Sequence, residues 1–260
     1  IVYSVSNQGW YLLYKRGKKD AALAKLSVPE IRLSVGLMLT IGGCKCQVTS
    51  ALGTGSFGTV WAAERVDGTI GEVAIKEILC RTPQERASAA FEGRLLWTLH
   101  RPGQSPGGSE RGCTSDGSPL ERIPDLVGMD ADCVGNDTWR VRLAMTRVPG
   151  VPLDSFLEDR QSSSPSSESS STEQLQQRFV EACHLARELL LQLAPTFESV
   201  SALAYHRDVN SHNILVAGDA ANPVFGLVDF GLAVDLGKWQ GPVGPLSWHL
   251  VDIGGGCRYW

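Results

Sequence analysis

Between residues 33 and 80 apolar and polar side chains alternate, most densely in "QVTSALGTGSFGTVWAAERVDGTIGEVAIKEIL". A period of two puts successive side chains on opposite faces of an extended chain, so this stretch reads as strands. Asp67-Gly68 separates two of the runs. Glycine accepts the positive φ of a tight turn, so the expected pairing is an antiparallel meander. The apolar run "LSVGLMLTIGG" (33–43) reads as a further strand and is too short to span a bilayer. At residue 83 the period changes. "PQERASAAFEGRLLWTLH" (83–100) sets Ala87, Ala90, Phe91, the stem of Arg94, Leu95 and Leu99 at helical spacing. Pro83 suits its first turn and Gly93 is its one breaker. Two more strands follow, "IPDLVGMD" and "TWRVRLAMTRV", joined near Gly135-Asn136. "PGVPLDSFLED" opens a short helix, and "EQLQQRFVEACHLARELLLQLAPTFESVSAL" is a long one, strongly apolar along one face and expected to begin anew past Pro195. Short strands and loops return from Tyr205.

Three stretches follow neither period. Residues 1–32 form an N-terminal extension with Trp10, Tyr11 and Tyr14, the basic cluster Lys15-Arg16-Gly17-Lys18-Lys19 and a short helical pattern, "DAALAKL". Residues 101–119 are rich in Gly, Ser and Pro and read as an insertion. Residues 160–172, "RQSSSPSSESSST", bury too little apolar area to offset ordering entropy, so a disordered insertion is expected. The fold class is α+β: a β-rich lobe with one helix over 33–148, a linker near 146–150, and a helical lobe over 149–260. A nucleotide is expected between such lobes.

Composition narrows the partners. A formal net charge of −4 argues against a nucleic-acid binder, which needs a basic excess. The basic cluster reads as a solvated loop or helix end. Seven scattered cysteines, an odd number, point to a reduced, intracellular compartment, and Cys44-Lys45-Cys46 is too tight for zinc. The chain starts at Ile1, which leaves a signal sequence upstream open.

"LGTGSFGTV" (52–60) contains Gly53, Gly55 and Gly58 at G-x-G-x-x-G spacing. Glycines let a backbone approach phosphate oxygens, in dinucleotide folds and kinases alike. Glu72 even stands near the distance a dinucleotide site needs. That reading requires a helix after Gly58, whereas "TVWAAERVDG" has strand texture and a turn. A plain turn with no ligand is the bland reading of the loop alone.

Four further motifs follow in order: "VAIK" (73–76), "EGRLLWTLHRP" beginning at Glu92, "HRDVNSHNILV" (206–216) and "LVDFGLA" (227–233). As a set these motifs resemble the eukaryotic protein kinase family, over residues 47 to 235. The resemblance implies a bilobal protein kinase-like fold with an incomplete helical second lobe, binding of ATP and Mg2+, and phosphoryl transfer to a Ser/Thr hydroxyl of a protein substrate. It implies that Gly53, Gly55 and Gly58 cover the phosphates, that Leu52, Ser56 and Phe57 also bind the nucleotide, and that Val60 and Ala74 touch adenine. Lys76, held by Glu92, would orient the α- and β-phosphates. Met145 would guard the adenine pocket, and Thr146, Arg147 and Val148 would offer it backbone bonds as a hinge. Asp208 would accept the proton of the substrate hydroxyl, or orient that hydroxyl, and Asn213 and Asp229 would hold Mg2+. His206 reads as a packed structural residue; His184 and His212 show no partner pattern.

Two departures qualify the resemblance. Asn210 stands where many Ser/Thr kinases have lysine, and loss of one transition-state cation contact costs about 10²–10³ in rate. "SWHLVDIGGGCRYW" stands where an Ala-Pro-Glu is expected, and the chain stops at Trp260. That reads as a fragment whose long helix exposes an apolar face, open to aggregation or to a regulatory protein partner. The alternative is a pseudokinase-like module that binds nucleotide or scaffolds partners.

Overall fold

The alternating stretch folds into an antiparallel sheet in the computed structural model, which describes residues 3–6, 9–12, 33–55, 58–68, 71–101, 119–135, 137–162 and 172–236. In the N-terminal extension, β1 (Tyr3–Ser6) and β2 (Gly9–Leu12) pair as an antiparallel ribbon; the basic cluster and "DAALAKL" lie outside the described residues. β3 (Met38–Ile41), β4 (Cys44–Gly55), β5 (Gly58–Arg65) and β6 (Glu72–Cys80) then run as a meander. Helix α1 (Pro83–Leu99) and a 3-10 turn (Pro119–Arg122) precede β7 (Leu126–Gly135) and β8 (Thr138–Thr146). The sheet order is β3-β4-β5-β6-β8-β7. The expected strand over 33–43 shrinks to β3, because the chain turns at Ser34–Leu37: the Leu37 N–H bonds to Ser34 O at 3.1 Å, and Gly36 has φ +87°. The turn carrying Asp67-Gly68 spans the residues between Arg65 and Glu72, longer than a two-residue hairpin.

One face of the sheet packs Ile41, Cys46, Val48, Ala63, Val73, Ile75 and Ala144 around Leu33. Burial pushes the thiols of Cys46 and Cys80 up to about 11, which leaves them unreactive at neutral pH. The opposite face receives α1. Thr82 caps this helix by accepting from the Glu85 N–H at 3.1 Å, and Pro83 occupies the first turn. Its buried face is Ala89, Glu92, Gly93, Leu95, Leu96 and Leu99; Ala87 and Arg94 are exposed. The expected face is therefore corrected by one notch. Hydrophobic spacing misses it because two of the inward positions are a glutamate and a glycine. A Cβ at Gly93 would lie 2.9 Å from Met129 Sδ and 3.2 Å from Leu143 Cδ2, so a larger residue here has to displace the ends of these two side chains.

The chain divides into two compact units, residues 1–114 with 125–147 and residues 115–124 with 148–260. In the second unit, β9 (Val151–Pro152) leads into α2 (Leu153–Ser162), and α3 (Thr172–Ser201) follows. The ends of the expected disordered insertion are thus helical, and 163–171 lie outside the described residues, as do 102–118 of the other insertion. α3 does not begin anew at Pro195. The proline cannot donate to Leu191 O and its ring crowds that carbonyl, but both residues are exposed, so the carbonyl can tilt out to water. Leu193, Thr196 and Val200 hold the helix from its buried side. Leu175, Phe179, Val180, Leu190 and Leu191 are exposed, with Phe179 at 70%; Leu175 stands about five turns before Leu193 on the same stripe, so the helix buries this stripe only near its C-terminal end. β10 (Ala204–Tyr205) pairs with β13 (Val234–Asp235), while β11 (Ile214–Ala217) pairs with β12 (Val224–Leu227) and β9. Ile214, Val216, Phe225, Leu227 and Phe230 are buried here.

Candidate functional site

The candidate residues fall on both units. In the first, β4 and β5 form the glycine hairpin, with Gly53 opposite Val60 and Gly55 opposite Gly58. Ser56 and Phe57 lie outside the described residues. Gly58 has φ +135°, and a Cβ there would lie 2.0 Å from Glu77 O on β6, so the fold itself demands glycine. At Gly53 a Cβ would meet nothing within 4 Å, so the fold makes no such demand. Leu52 is exposed beside it. From Gly58 the chain runs on as the strand β5, which provides no helix N-terminus for a pyrophosphate, and Glu72 is ion-paired with Arg147 at 2.7 Å.

Register carries the hairpin to the next residues. Val60 pairs opposite Lys76, and Ala74 opposite Met145. The period of two puts Val60, Ala74, Lys76, Leu143 and Met145 on one face, the face that receives α1. Lys76 Nζ donates to Glu92 Oε1 at 2.7 Å and Oε2 at 3.0 Å, with side-chain exposures of 5% and 2%. Met145 is buried. Thr146 ends β8, and its N–H bonds to Asp125 O at 2.9 Å while its Oγ1 accepts from the Asp125 N–H at 2.8 Å. The N–H of Thr146 is therefore already engaged, which leaves its carbonyl for any bond to a base. Val148 is half-buried.

In the second unit, the loop of residues 206–213 wraps around one carboxylate. Asn213 Nδ2 donates to Asp208 Oδ2 at 3.0 Å and to Asp208 O at 2.9 Å. Asn210 Nδ2 donates to Asp208 Oδ1 at 3.0 Å and to Asp208 O at 3.2 Å. Asn210 Oδ1 in turn accepts the N–H groups of His212 at 2.9 Å and Asn213 at 3.1 Å. His206 is buried with its ring centroid 4.6 Å from that of Phe230, and its Nδ1 accepts the Asp208 N–H at 3.3 Å. Arg207 has φ +63° and donates from Nε to Leu232 O at 2.8 Å. The Val228 N–H donates to Asn213 O at 2.9 Å, which fixes the strand end that carries Asp229. Asp229 has φ +61°, and its Oδ1 accepts the Gly231 N–H at 3.2 Å.

Sequence reading missed three partners. Asn210, seen there only as a missing lysine, binds the carboxylate and holds the loop. His212 Nδ1 pairs with Asp154 Oδ2 at 2.5 Å, and His184 Nε2 lies 3.2 Å from Ala221 O. Only the first had a sequence signal: an asparagine side chain readily accepts backbone N–H groups two and three residues on. Among the described residues no group of three or more His, Cys, Asp or Glu is placed to hold a metal. Asn213 and Asp229 offer one carboxamide and one carboxylate. No family model and no curated protein matches the chain.

Proposed function

We propose that the chain carries the ATP·Mg2+-dependent phosphoryl-transfer residues of a bilobal, protein kinase-like domain, acting on a Ser/Thr hydroxyl of a protein substrate. The observation that carries this reading is the buried Lys76–Glu92 pair. Taking two charges out of water is costly, and apolar replacements often serve stability as well or better. An ammonium fixed in orientation, in register with Val60 of the glycine hairpin, suits the α- and β-phosphates of a nucleotide. Gly53, whose missing side chain the fold does not require, leaves room for a close backbone approach.

On this reading Val60, Ala74 and Met145 flank adenine, and the Thr146 carbonyl and Val148 backbone offer it hydrogen bonds. Asp208 orients the attacking hydroxyl and takes its proton. Asn213 fits a hard cation: with Nδ2 turned to Asp208, its Oδ1 is the atom left to coordinate. Asp229 adds a carboxylate, and so sparse an oxygen set is what Mg2+ accepts when phosphates complete its shell. Bound Mg2+ neutralises charge on the transferring group.

The test is nucleotide binding and radiolabelled phosphate transfer by the full chain. Lys76→Met is expected to lower transfer by about 10²–10³, and Asp208→Asn to remove transfer with ATP·Mg2+ binding intact. Nucleotide binding with the same transfer signal in Asp208→Asn as in the unaltered protein would sink the reading. Asn210, in the place of a cation, favours the second reading, a pseudokinase-like nucleotide binder; ATP·Mg2+ binding with no transfer to any Ser/Thr peptide would select it.

A further inference from the structure

We infer that Asn210 is a positioning residue for Asp208, doing with a neutral carboxamide what a cation would do from the same place. The inference rests on the phosphoryl-transfer reading and deepens it. Asp208 presents two carboxylate oxygens, and each takes one side-chain amide: Oδ1 from Asn210 and Oδ2 from Asn213, both at 3.0 Å. Two donors on opposite oxygens fix the rotation of the carboxylate about its own bond, which one donor does not.

The other end of the same side chain does separate work. Asn210 Oδ1 gathers the N–H groups of His212 and Asn213, so the backbone that presents Asn213 is folded by the residue that holds Asp208. Beside it, Arg207 Nε donates to Leu232 O, Asp229 Oδ1 accepts the Gly231 N–H, and His212 pairs with Asp154. His206 touches the Asp208 backbone N–H.

Donation and acceptance are both required, and only a side chain with both can replace Asn210. A lysine at this position donates but cannot accept the two N–H groups. An aspartate accepts them but sets a second carboxylate beside the first. Lysine is therefore no improvement here, contrary to what the missing cation suggests.

The experiment compares Asn210→Lys, Asn210→Asp, Asn210→Ala and Asn210→Ser in the full chain, with kcat, KM for ATP, ATP·Mg2+ affinity and Tm measured for each. A carboxylate misplaced by about an ångström costs on the order of 10² in rate. The expected result is a kcat lowered by up to that factor in the first three; ATP affinity and KM stay unchanged in Asn210→Asp, which still accepts the two N–H groups, and shift far less than kcat in Asn210→Lys and Asn210→Ala, with Tm little altered. Asn210→Ser, whose hydroxyl donates and accepts, recovers part of the kcat lost in Asn210→Ala. Equal or higher kcat in Asn210→Lys, or loss of kcat only in step with Tm and ATP affinity, overturns the role of Asn210. Absence of transfer by the unaltered chain overturns the phosphoryl-transfer reading, and this role with it.

Discussion

Lys76 and Glu92 show what a single residue pair reveals. Their order after a glycine loop was readable in the sequence; the closeness and burial were not, because they depend on how α1 is rotated. The pair makes a testable claim about stability apart from function. Lys76→Met takes the ammonium away from a buried carboxylate, and breaking such a pair costs about 3–5 kcal/mol. The double change Lys76→Met with Glu92→Leu should regain most of that stability in denaturant titration, while on the proposed reading transfer stays as low as in Lys76→Met. If the double variant stays as unstable as the single one, the pair is structural first. Asp130 gives a second test, through pH. Burial raises its pKa above the ordinary 3.8, partly offset by the Gly42 N–H that donates to Oδ1 at 3.0 Å and by the nearby Arg142 charge. A pKa raised on folding means that the ionised form opposes folding. The cost is absent below 3.8, grows as pH rises through the folded pKa, and is full at neutrality. Asn at this position still accepts from Gly42 but carries no charge. Asp130→Asn should therefore raise Tm at pH 7 and give no gain at pH 3; a gain of equal size at both would refute the burial argument.

Elements were legible where period and burial agree, as in β4 to β6 and in α3 up to Pro195, and illegible where a charged or small residue takes an inward position. α1 hides a glutamate and a glycine on its inner face, so its hydrophobic pattern points sideways. Pro195 looks like a helix break because sequence does not reveal which side of the helix faces water. The glycine hairpin carries the sharpest contrast between two residues of one motif. A Cβ at Gly58 meets Glu77 O at 2.0 Å, and its φ of +135° is foreign to other residues, whereas Gly53 faces open space. Gly58→Ala should cost about 1–3 kcal/mol through strain in the β5–β6 pairing. Gly53→Ala should leave Tm unchanged and, on the proposed reading, weaken ATP binding by crowding the phosphates. Thermal melts and calorimetric titration of the two variants separate the roles; a Tm loss in Gly53→Ala matching that of Gly58→Ala would remove the distinction.

At the scale of the whole chain, two compact units do not map onto two unbroken stretches of sequence. Read in order, the first lobe runs from 33 to 148, but residues 115–124 belong with the second unit. Nothing in the Gly/Ser/Pro-rich insertion ahead of them announces this excursion, because the bonds that anchor it are made by residues 70 and more positions away. Arg122 Nη1 donates to Gln192 Oε1 at 2.6 Å and to Phe225 O at 3.0 Å. Gln192 Oε1 also accepts the Phe225 N–H at 3.0 Å, and its Nε2 donates to Pro223 O at 2.8 Å. Three separate segments, the 3-10 turn, α3 and β12, thus share one half-buried polar network. Removing Arg122 leaves a carbonyl and a carboxamide oxygen short of a charged donor, a loss of about 1–3 kcal/mol. Each unit has its own buried apolar residues, so that loss should remain local. In hydrogen exchange on the full chain, Arg122→Ala should speed exchange in α3 around Gln192 and in β12, while β4 to β6 exchange as before. A uniform rise across both units would mean that they unfold as one cooperative body, and that the excursion through residues 115–124 ties the stability of the first unit to that of the second.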